Sequence, residues 1–293
     1  DKDLVGNIAI GKNALDATSS NAQTGTIAIG HEALTALTSG VKNLAIGYEA
    51  MKTHTTGGSN IAIGYGAMND TDAGSNSLGS TENVFIGYDA GGGTWADTAT
   101  INCVAIGNYA MDSALDGANN SVAIGYGALG SVTTADASIA IGKEALLSIT
   151  TGEGNIGIGQ HAMQVHTTGG SNIAIGRYAM DDTNAGSNSL GSTDNVFVGT
   201  DSGGGTWADT ASRYNIAIGT ATLSDALDGA DANIAIGYQA SRYITTGDNN
   251  VVVGHQAGDA MTTTANTVLI GTSAGTAINS ADANGTVAIG YQS

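Results

Sequence analysis

The chain of 293 residues contains no proline, one cysteine and only eight lysines and arginines. A chain without proline can place nearly every backbone N–H group in a strand ladder. Because Cys103 is alone, no disulfide can form within one chain, and we expect its side chain to be a small, semi-polar filler. The eight bases stand against 26 acids and give a net charge of −18. This charge argues against nucleic acid or an anionic membrane as a partner.

Long apolar runs are also missing, since no stretch reaches the roughly 18 apolar residues of a membrane-spanning helix. The first residues, Asp1-Lys2-Asp3, are not typical of a signal peptide. Glycine is abundant, with 45 residues, but 41% of the chain is hydrophobic and the apolar residues recur at fixed positions. This placement argues against disorder.

The dominant feature is one pentapeptide, which occurs sixteen times with small variations, as in Asn60-Ile61-Ala62-Ile63-Gly64. Sixteen copies of a short motif indicate stacked repeats and not a globular enzyme with one cleft. We predict a single all-β rod over 1–293, a parallel β-roll or β-solenoid of about 16 coils and on the order of 75 Å long. The motif glycines are Gly11, Gly30, Gly47, Gly64, Gly87, Gly107, Gly125, Gly142, Gly159, Gly176, Gly199, Gly219, Gly237, Gly254, Gly271 and Gly290.

A second, longer repeat lies over the first. The glycine spacings 17, 17, 23, 20, 18 and 17 occur twice in succession, so 41–152 and 153–264 approximate an internal duplication with partial coils at both ends. The segments 57–99 and 169–211 differ at only eight of 43 positions. Such a duplication lengthens a solenoid without changing its chemistry.

Alternation within the motif predicts a strand with two unlike faces. β-Branched residues stand three and one positions before the glycine, with a small residue between them. We predict that the β-branched face forms the core, including Ile10, Ile63, Ile124, Ile175 and Ile236. Small side chains allow a second backbone to approach closely. We therefore predict that the small-residue face contacts other chains through Ala62, Ala123, Ala174 and Ala235.

Two further positions of the repeat carry a structural prediction. The residue four positions before the glycine is mostly Asn, and stacking would align these side chains into a hydrogen-bonded ladder. The third and fourth residues after the glycine are often Ala followed by Leu or Met, which predicts a second inward-facing segment. A single helical turn is the competing prediction at 143–147. The remaining polar residues, where the length varies, are predicted to form surface loops.

The tandem motif, Asn/Ser-Ile/Val-Ala-Ile-Gly-x-x-Ala, resembles the YadA-like head repeat of trimeric autotransporter adhesins, which also appears in tail fibres and other fibre proteins of bacteriophages. The resemblance covers essentially the whole chain. It implies a left-handed parallel β-roll, assembled as an elongated homotrimer in which the Ala/Gly face lets three chains pack closely. The repeat units of this chain are longer than the compact family repeat. The sequence shows no heptad stalk, neck or anchor strands, which favours a viral fibre or a fragment of an adhesin.

Two kinds of aromatic residue are candidates for receptor contact. Trp95 and Trp207 each follow three glycines and occupy equivalent places in the two copies of the duplication. They are interpreted either as exposed platforms for a sugar ring or as anchors that hold a loop against the roll. Tyrosines that follow the motif glycine, including Tyr65 and Tyr126, are predicted to form an outer stripe. That stripe is either a sugar-binding surface or packing on the strand surface.

Metal, cofactor and catalytic sites are not predicted. His54 and His166 occupy equivalent places in His-Thr-Thr-Gly-Gly, but no His-x-His pair accompanies them. The spacing of the acids does not match the nonapeptide of calcium-binding β-rolls. No Ser/His/Asp set stands apart from the repeats, so we do not expect an enzyme.

The sequence therefore favours a structural and adhesive fibre protein, a bacteriophage tail or appendage fibre that is a rigid spacer and a host-attachment element. Its expected location is extracellular, on a virion. The expected partners are further copies of itself, other fibre or virion proteins, and a host glycan or protein receptor. Two alternatives stay open: the head of a trimeric adhesin on a bacterial surface, and a glycan-degrading tailspike with paired carboxylates in a groove. Ice binding is disfavoured, because the recurring threonine pairs precede glycine in loops.

Overall fold

The computed structural model describes residues 6–17, 23–69, 79–95, 98–181, 191–207, 210–225 and 227–293. The chain divides into two compact units, Asp1–Glu144 and Ala145–Ser293. Each unit carries eight strands of three residues. In the first they are β1 Ile8–Ile10, β2 Ile27–Ile29, β3 Leu44–Ile46, β4 Ile61–Ile63, β5 Val84–Ile86, β6 Val104–Ile106, β7 Val122–Ile124 and β8 Ile139–Ile141. In the second they are β9 Ile156–Ile158, β10 Ile173–Ile175, β11 Val196–Val198, β12 Ile216–Ile218, β13 Ile234–Ile236, β14 Val251–Val253, β15 Val268–Ile270 and β16 Val287–Ile289.

Each unit is a parallel β-solenoid. Successive strands pair in parallel with the motif in register, so that Ile61, Ala62 and Ile63 of β4 lie beside Val84, Phe85 and Ile86 of β5. A short 3-10 turn lies at Ala281–Ala283. The predicted all-β solenoid with one strand per motif is thus confirmed. The short strands follow from the motif itself, because the glycine that ends each strand takes a φ that strands do not have.

The motif glycine explains why each strand stops where it does. Gly64 has a φ of +142°, and a Cβ atom at this position would lie 2.1 Å from the carbonyl oxygen of Gly87 in the next coil. Only glycine fits a backbone with this φ and this close approach. The turn that follows is not helical, since Glu144 and Leu146 have φ values of 54° and 52°. The helical turn weighed at 143–147 is therefore wrong.

The predicted assignment of the two strand faces is also wrong. The isoleucines expected in the core are half-buried or exposed. Ile10 is 59% exposed, Ile63 is half-buried, and Ile124, Ile175 and Ile236 are each 37% exposed. The alanines expected to contact other chains are 0% exposed within their own chain: Ala62, Ala123, Ala174 and Ala235. The small side chains point into the coil and the β-branched side chains point out.

The narrow interior of the coil is the reason for this arrangement. The segment after the glycine fills the space opposite the strand with buried Ala67 and Met68, so only a small residue fits on the inner side of the strand. At Gly157, the inward position of β9, an added Cβ atom would already lie 2.9 Å from Leu146 Cγ. A branched side chain there would overpack the coil. The predicted second inward-facing segment is confirmed.

Where the inward strand residue is large, the opposite segment shrinks. Phe85 replaces alanine in β5, and Gly91 then stands where Met68 stands in the preceding coil; a Cβ on Gly91 would lie 2.6 Å from the Phe85 ring. The same exchange pairs Phe197 with Gly203 in the second unit. The summed volume within a coil is thus kept nearly constant, as close packing requires.

The asparagines form the predicted ladder, and from Asn43 onward their amide groups lie inside the coil. Asn172 Oδ1 accepts from the backbone N–H and from Nδ2 of Asn195 in the next coil, both at 3.1 Å. Asn172 Nδ2 donates to Asn155 Oδ1 at 3.1 Å and to the carbonyl oxygen of Ser192 at 2.9 Å. Each buried amide is therefore satisfied on both sides, which removes the desolvation cost of burying it.

Removing one member of this ladder should be costly. We expect Asn172→Ala to destabilise the second unit by about 2–4 kcal/mol, because the buried N–H of Asn195 loses its acceptor and a cavity remains. Thermal and denaturant unfolding measure the change. Asn279→Ala, at an exposed loop residue, is the matched control and should change stability by less than about 0.5 kcal/mol. Equal effects of the two substitutions would contradict the ladder as a source of stability.

Candidate interaction surfaces

The outward face of the strands is entirely aliphatic. Two positions on each of the sixteen described strands point outward, and every one is Ile, Val or Leu. The second of the two is the more open in several coils, with 38% exposure at Ile106 and 41% at Ile218. Within each unit this gives two columns of branched aliphatic residues that run across all eight strands. We call this surface the aliphatic face.

The two tryptophans lie inside the coil, so their assignment as receptor contacts is wrong. Trp95 is 2% exposed and Trp207 is 1% exposed. Trp95 packs against the Phe85 ring with centroids 5.9 Å apart, and its Nε1 donates to the carbonyl oxygen of Gly91 at 3.1 Å. Trp207 makes the same two contacts: its ring centroid lies 5.8 Å from that of Phe197, and its Nε1 donates to the carbonyl oxygen of Gly203 at 3.0 Å. The interpretation as loop anchors is the one confirmed.

The tyrosines after the motif glycine are exposed, as predicted, and in the first unit they form a stack. The rings of His31, Tyr48, Tyr65 and Tyr88 follow one another at centroid distances of 5.0 to 5.1 Å, with interplanar angles of 6° to 8°. The three tyrosines are 42% to 46% exposed. We call these four residues the tyrosine ladder. Because each ring covers the next, the ladder presents ring edges and hydroxyl groups to solvent.

Tyr126 lies farther along the same unit with a different geometry. Its ring is 50% exposed and meets Tyr109 edge-on at 5.7 Å, and Tyr109 in turn meets Tyr88 edge-on at 5.4 Å. Of the two tyrosines expected to contact a receptor, Tyr65 therefore belongs to the parallel stack, whereas Tyr126 does not. Both remain accessible.

His54 and His166 are buried beside the asparagine ladder. They are 4% and 1% exposed. His54 Nε2 lies 3.2 Å from Asn60 Nδ2, and His166 Nε2 donates to the carbonyl oxygen of Ser192 at 2.9 Å. Burial lowers the pKa of each histidine from 6.5 to about 4, so both are neutral at physiological pH. Their coil position is otherwise filled by aliphatic residues such as Leu37 and Ile149.

Reactive and metal-binding groups are sparse in the described part of the chain. No cluster of three or more His, Cys, Asp or Glu side chains there is placed to hold a metal ion. The Cys103 thiol donates to the carbonyl oxygen of Ala118 at 3.0 Å, and burial raises its pKa to about 11. The thiol therefore stays protonated and is a poor nucleophile. Within the described residues, no helix is long and apolar enough to cross a membrane.

Threonines in the loops are engaged between coils. Thr38, Thr150 and Thr245 each donate a hydroxyl hydrogen bond, at 3.1 Å, to a threonine carbonyl oxygen of the next coil. These hydroxyls reinforce the stacking of loops.

A search of protein-family models found no match to the chain, and a search of curated proteins likewise found none.

Proposed function

We propose that the chain is a structural and adhesive fibre protein, a bacteriophage tail or appendage fibre, in which three copies assemble through the aliphatic face. The observation that carries the proposal is the composition of that face, which has no polar residue on any described strand. The solenoid fold and the resemblance of its repeat to fibre and adhesin repeats support it. The resemblance to the repeats of trimeric adhesins implies three chains.

An uncovered aliphatic face is an unfavourable surface for an isolated chain. Each unit turns sixteen half-buried or exposed branched side chains outward in two adjacent columns, whereas monomeric soluble proteins rarely expose large contiguous apolar patches. The acids that give the net charge of −18 stand outside the outward strand positions. A surface depleted of charge within a strongly acidic chain is typical of the centre of a protein–protein interface. A second copy of the chain offers the same aliphatic columns, with the same spacing from one coil to the next.

We expect the purified chain to have a native mass about three times its 28.9 kDa. Association removes the exposed fraction of the branched side chains from water, and each added chain contributes two such columns per unit. Sedimentation equilibrium or native mass spectrometry gives the mass directly. A monomer over the micromolar concentration range would contradict the assembly, and a stable dimer would contradict its stoichiometry.

The cellular role has a separate test. Antibodies against the chain should label the appendages of virus particles in electron micrographs. Labelling of the surface of uninfected bacteria instead would support the adhesin alternative. Release of reducing sugars from capsular polysaccharide by the purified chain would support the tailspike alternative and count against a purely structural role.

A further inference from the structure

Three parallel columns run side by side in the first unit, because its coils are in register. One is the tyrosine ladder. The next is the motif glycine column, which has no side chains, and beyond it stands the outer column of the aliphatic face. The tyrosine ladder is His31, Tyr48, Tyr65 and Tyr88. The glycine column is Gly30, Gly47, Gly64 and Gly87, and the aliphatic column is Ile29, Ile46, Ile63 and Ile86. Side chains thus flank a strip of bare backbone along four consecutive coils.

Acidic residues line the other side of the ladder. Glu32, Glu49 and Asp89 directly follow ladder residues in sequence. Lys52 Nζ lies 2.7 Å from Glu32 Oε2 and 3.1 Å from Glu49 Oε1, so this lysine offsets part of the negative charge. The remaining charge is negative, within a chain whose net charge is −18. The ladder therefore has bare backbone on one side and negative charge on the other.

The ladder is not needed to build the solenoid. The duplication places Gln160, Arg177 and Thr200 at the positions of Tyr48, Tyr65 and Tyr88, and the strands of the second unit pair in the same register. Two of the eight differences between 57–99 and 169–211 fall on ladder tyrosines. The run of four parallel rings is thus a property of the first unit, added to a fold that forms without it.

We propose that the tyrosine ladder and the glycine strip beside it form a binding site for elongated, planar, cationic aromatic molecules that lie along the ladder across several coils. The cross-section of the strip is the same at each coil, so a long flat molecule keeps its contacts throughout. The tyrosine ring edges supply apolar contact, and the acids favour a positive charge. A rigid planar ligand loses little conformational entropy on binding. Sugar rings fit less well, because the flat faces of the tyrosines are covered by one another.

Thioflavin T, a rigid cationic aromatic dye, is the probe for this site. The full chain, freed of aggregates by size-exclusion chromatography, is titrated and followed by dye fluorescence and by calorimetry. We expect saturable binding of about one dye per chain. The variant Tyr48→Gln/Tyr65→Arg/Tyr88→Thr copies the second unit and should bind about tenfold more weakly or worse, a loss of about 1.4 kcal/mol. Absence of binding by the parent chain, or equal binding by this variant, would overturn the proposal.

Two further variants keep the test decisive if the triple substitution lowers stability. Gln160→Tyr/Arg177→Tyr/Tyr178→Gly/Thr200→Tyr copies the ladder into the second unit and should raise the stoichiometry to about two dyes per chain. Tyr238→Gln removes a tyrosine stacked only on His255, at 5.3 Å, and should leave binding unchanged. No added site in the first variant, or a comparable loss in the second, would count against the ladder as the binding element.

Discussion

Arginine at two adjacent positions of β10 should give opposite results: Ala174→Arg unfolds the surrounding coils, whereas Ile175→Arg leaves them folded and prevents assembly. Ala174 is 0% exposed and its register neighbours are Gly157 and Phe197. A guanidinium group there has neither space nor a partner, and burying an unpaired ion costs several kcal/mol. That cost is comparable with the whole stability of an ordinary domain. Ile175 is 37% exposed, so an arginine there reaches solvent.

Circular dichroism, limited proteolysis and native mass separate the two outcomes. Ala174→Arg should lose its β signal around β10 and become protease-sensitive there, since solenoid coils depend mainly on their nearest neighbours. Ile175→Arg should keep the parent spectrum and sediment as a monomer. Unfolding by Ile175→Arg together with normal assembly of Ala174→Arg would reverse the assignment of the two faces. Ala62 and Ile63 provide the same pair in the first unit.

Acidification from about pH 7 to about pH 4 should destabilise both units. His54 and His166 have a folded-state pKa of about 4, lowered from 6.5 by burial. Between these values the unfolded chain binds a proton that the folded chain does not, so the free energy of unfolding falls as the pH falls. The loss begins near pH 6.5 and levels off near pH 4. It amounts to about 3 kcal/mol for each histidine.

The matched variant for this prediction is His54→Leu/His166→Leu, because Leu37 occupies the same coil position in another coil. Urea unfolding between about pH 4 and pH 7 should show a steep pH dependence in the parent and a much flatter one in the variant. Asp181 has the opposite effect on the free energy of unfolding as the pH falls. Burial raises its pKa to about 6, so its protonation favours the folded state. Parent and variant share this residue, so their difference isolates the histidines. Parallel pH profiles would refute the prediction.

The repeat made most of the architecture predictable. In-phase glycines located all sixteen strands, and the asparagine ladder followed from stacking alone. The direction of the strand faces did not follow, because alternation shows only that Ile63 and Ala62 point to opposite sides. The choice depends on how much space the opposite segment leaves inside the coil. A usable signal was present: large inward residues such as Phe85 occur with a glycine, Gly91, at the position that usually holds methionine or leucine.

The candidate surfaces were predicted less well for a related reason. The tryptophans stood out as large residues in glycine-rich loops, yet three glycines also permit a loop to fold a ring into the coil, as at Trp95. The tyrosine stripe was expected, but its parallel stacking over Tyr48, Tyr65 and Tyr88 depends on ring orientation, which spacing does not determine. The sequence pattern does not reveal the aliphatic face as a surface, because a strand face of branched residues is equally typical of a core.

The asparagine ladder also gives the interior of the second unit a direction. From Asn155 to Asn250, each side-chain carbonyl accepts hydrogen bonds from the following coil, and each NH₂ group after the first donates one bond back to the preceding side-chain carbonyl and one to a backbone carbonyl. Six side-chain carbonyl dipoles therefore point the same way. Aligned dipoles polarise one another, as peptide groups do in a helix. In the first unit Cys103 ends the run after Asn83, because a thiol is a weak acceptor. The run of aligned side-chain carbonyls is therefore longer in the second unit, with six asparagines, than in the first, where it joins Asn43, Asn60 and Asn83.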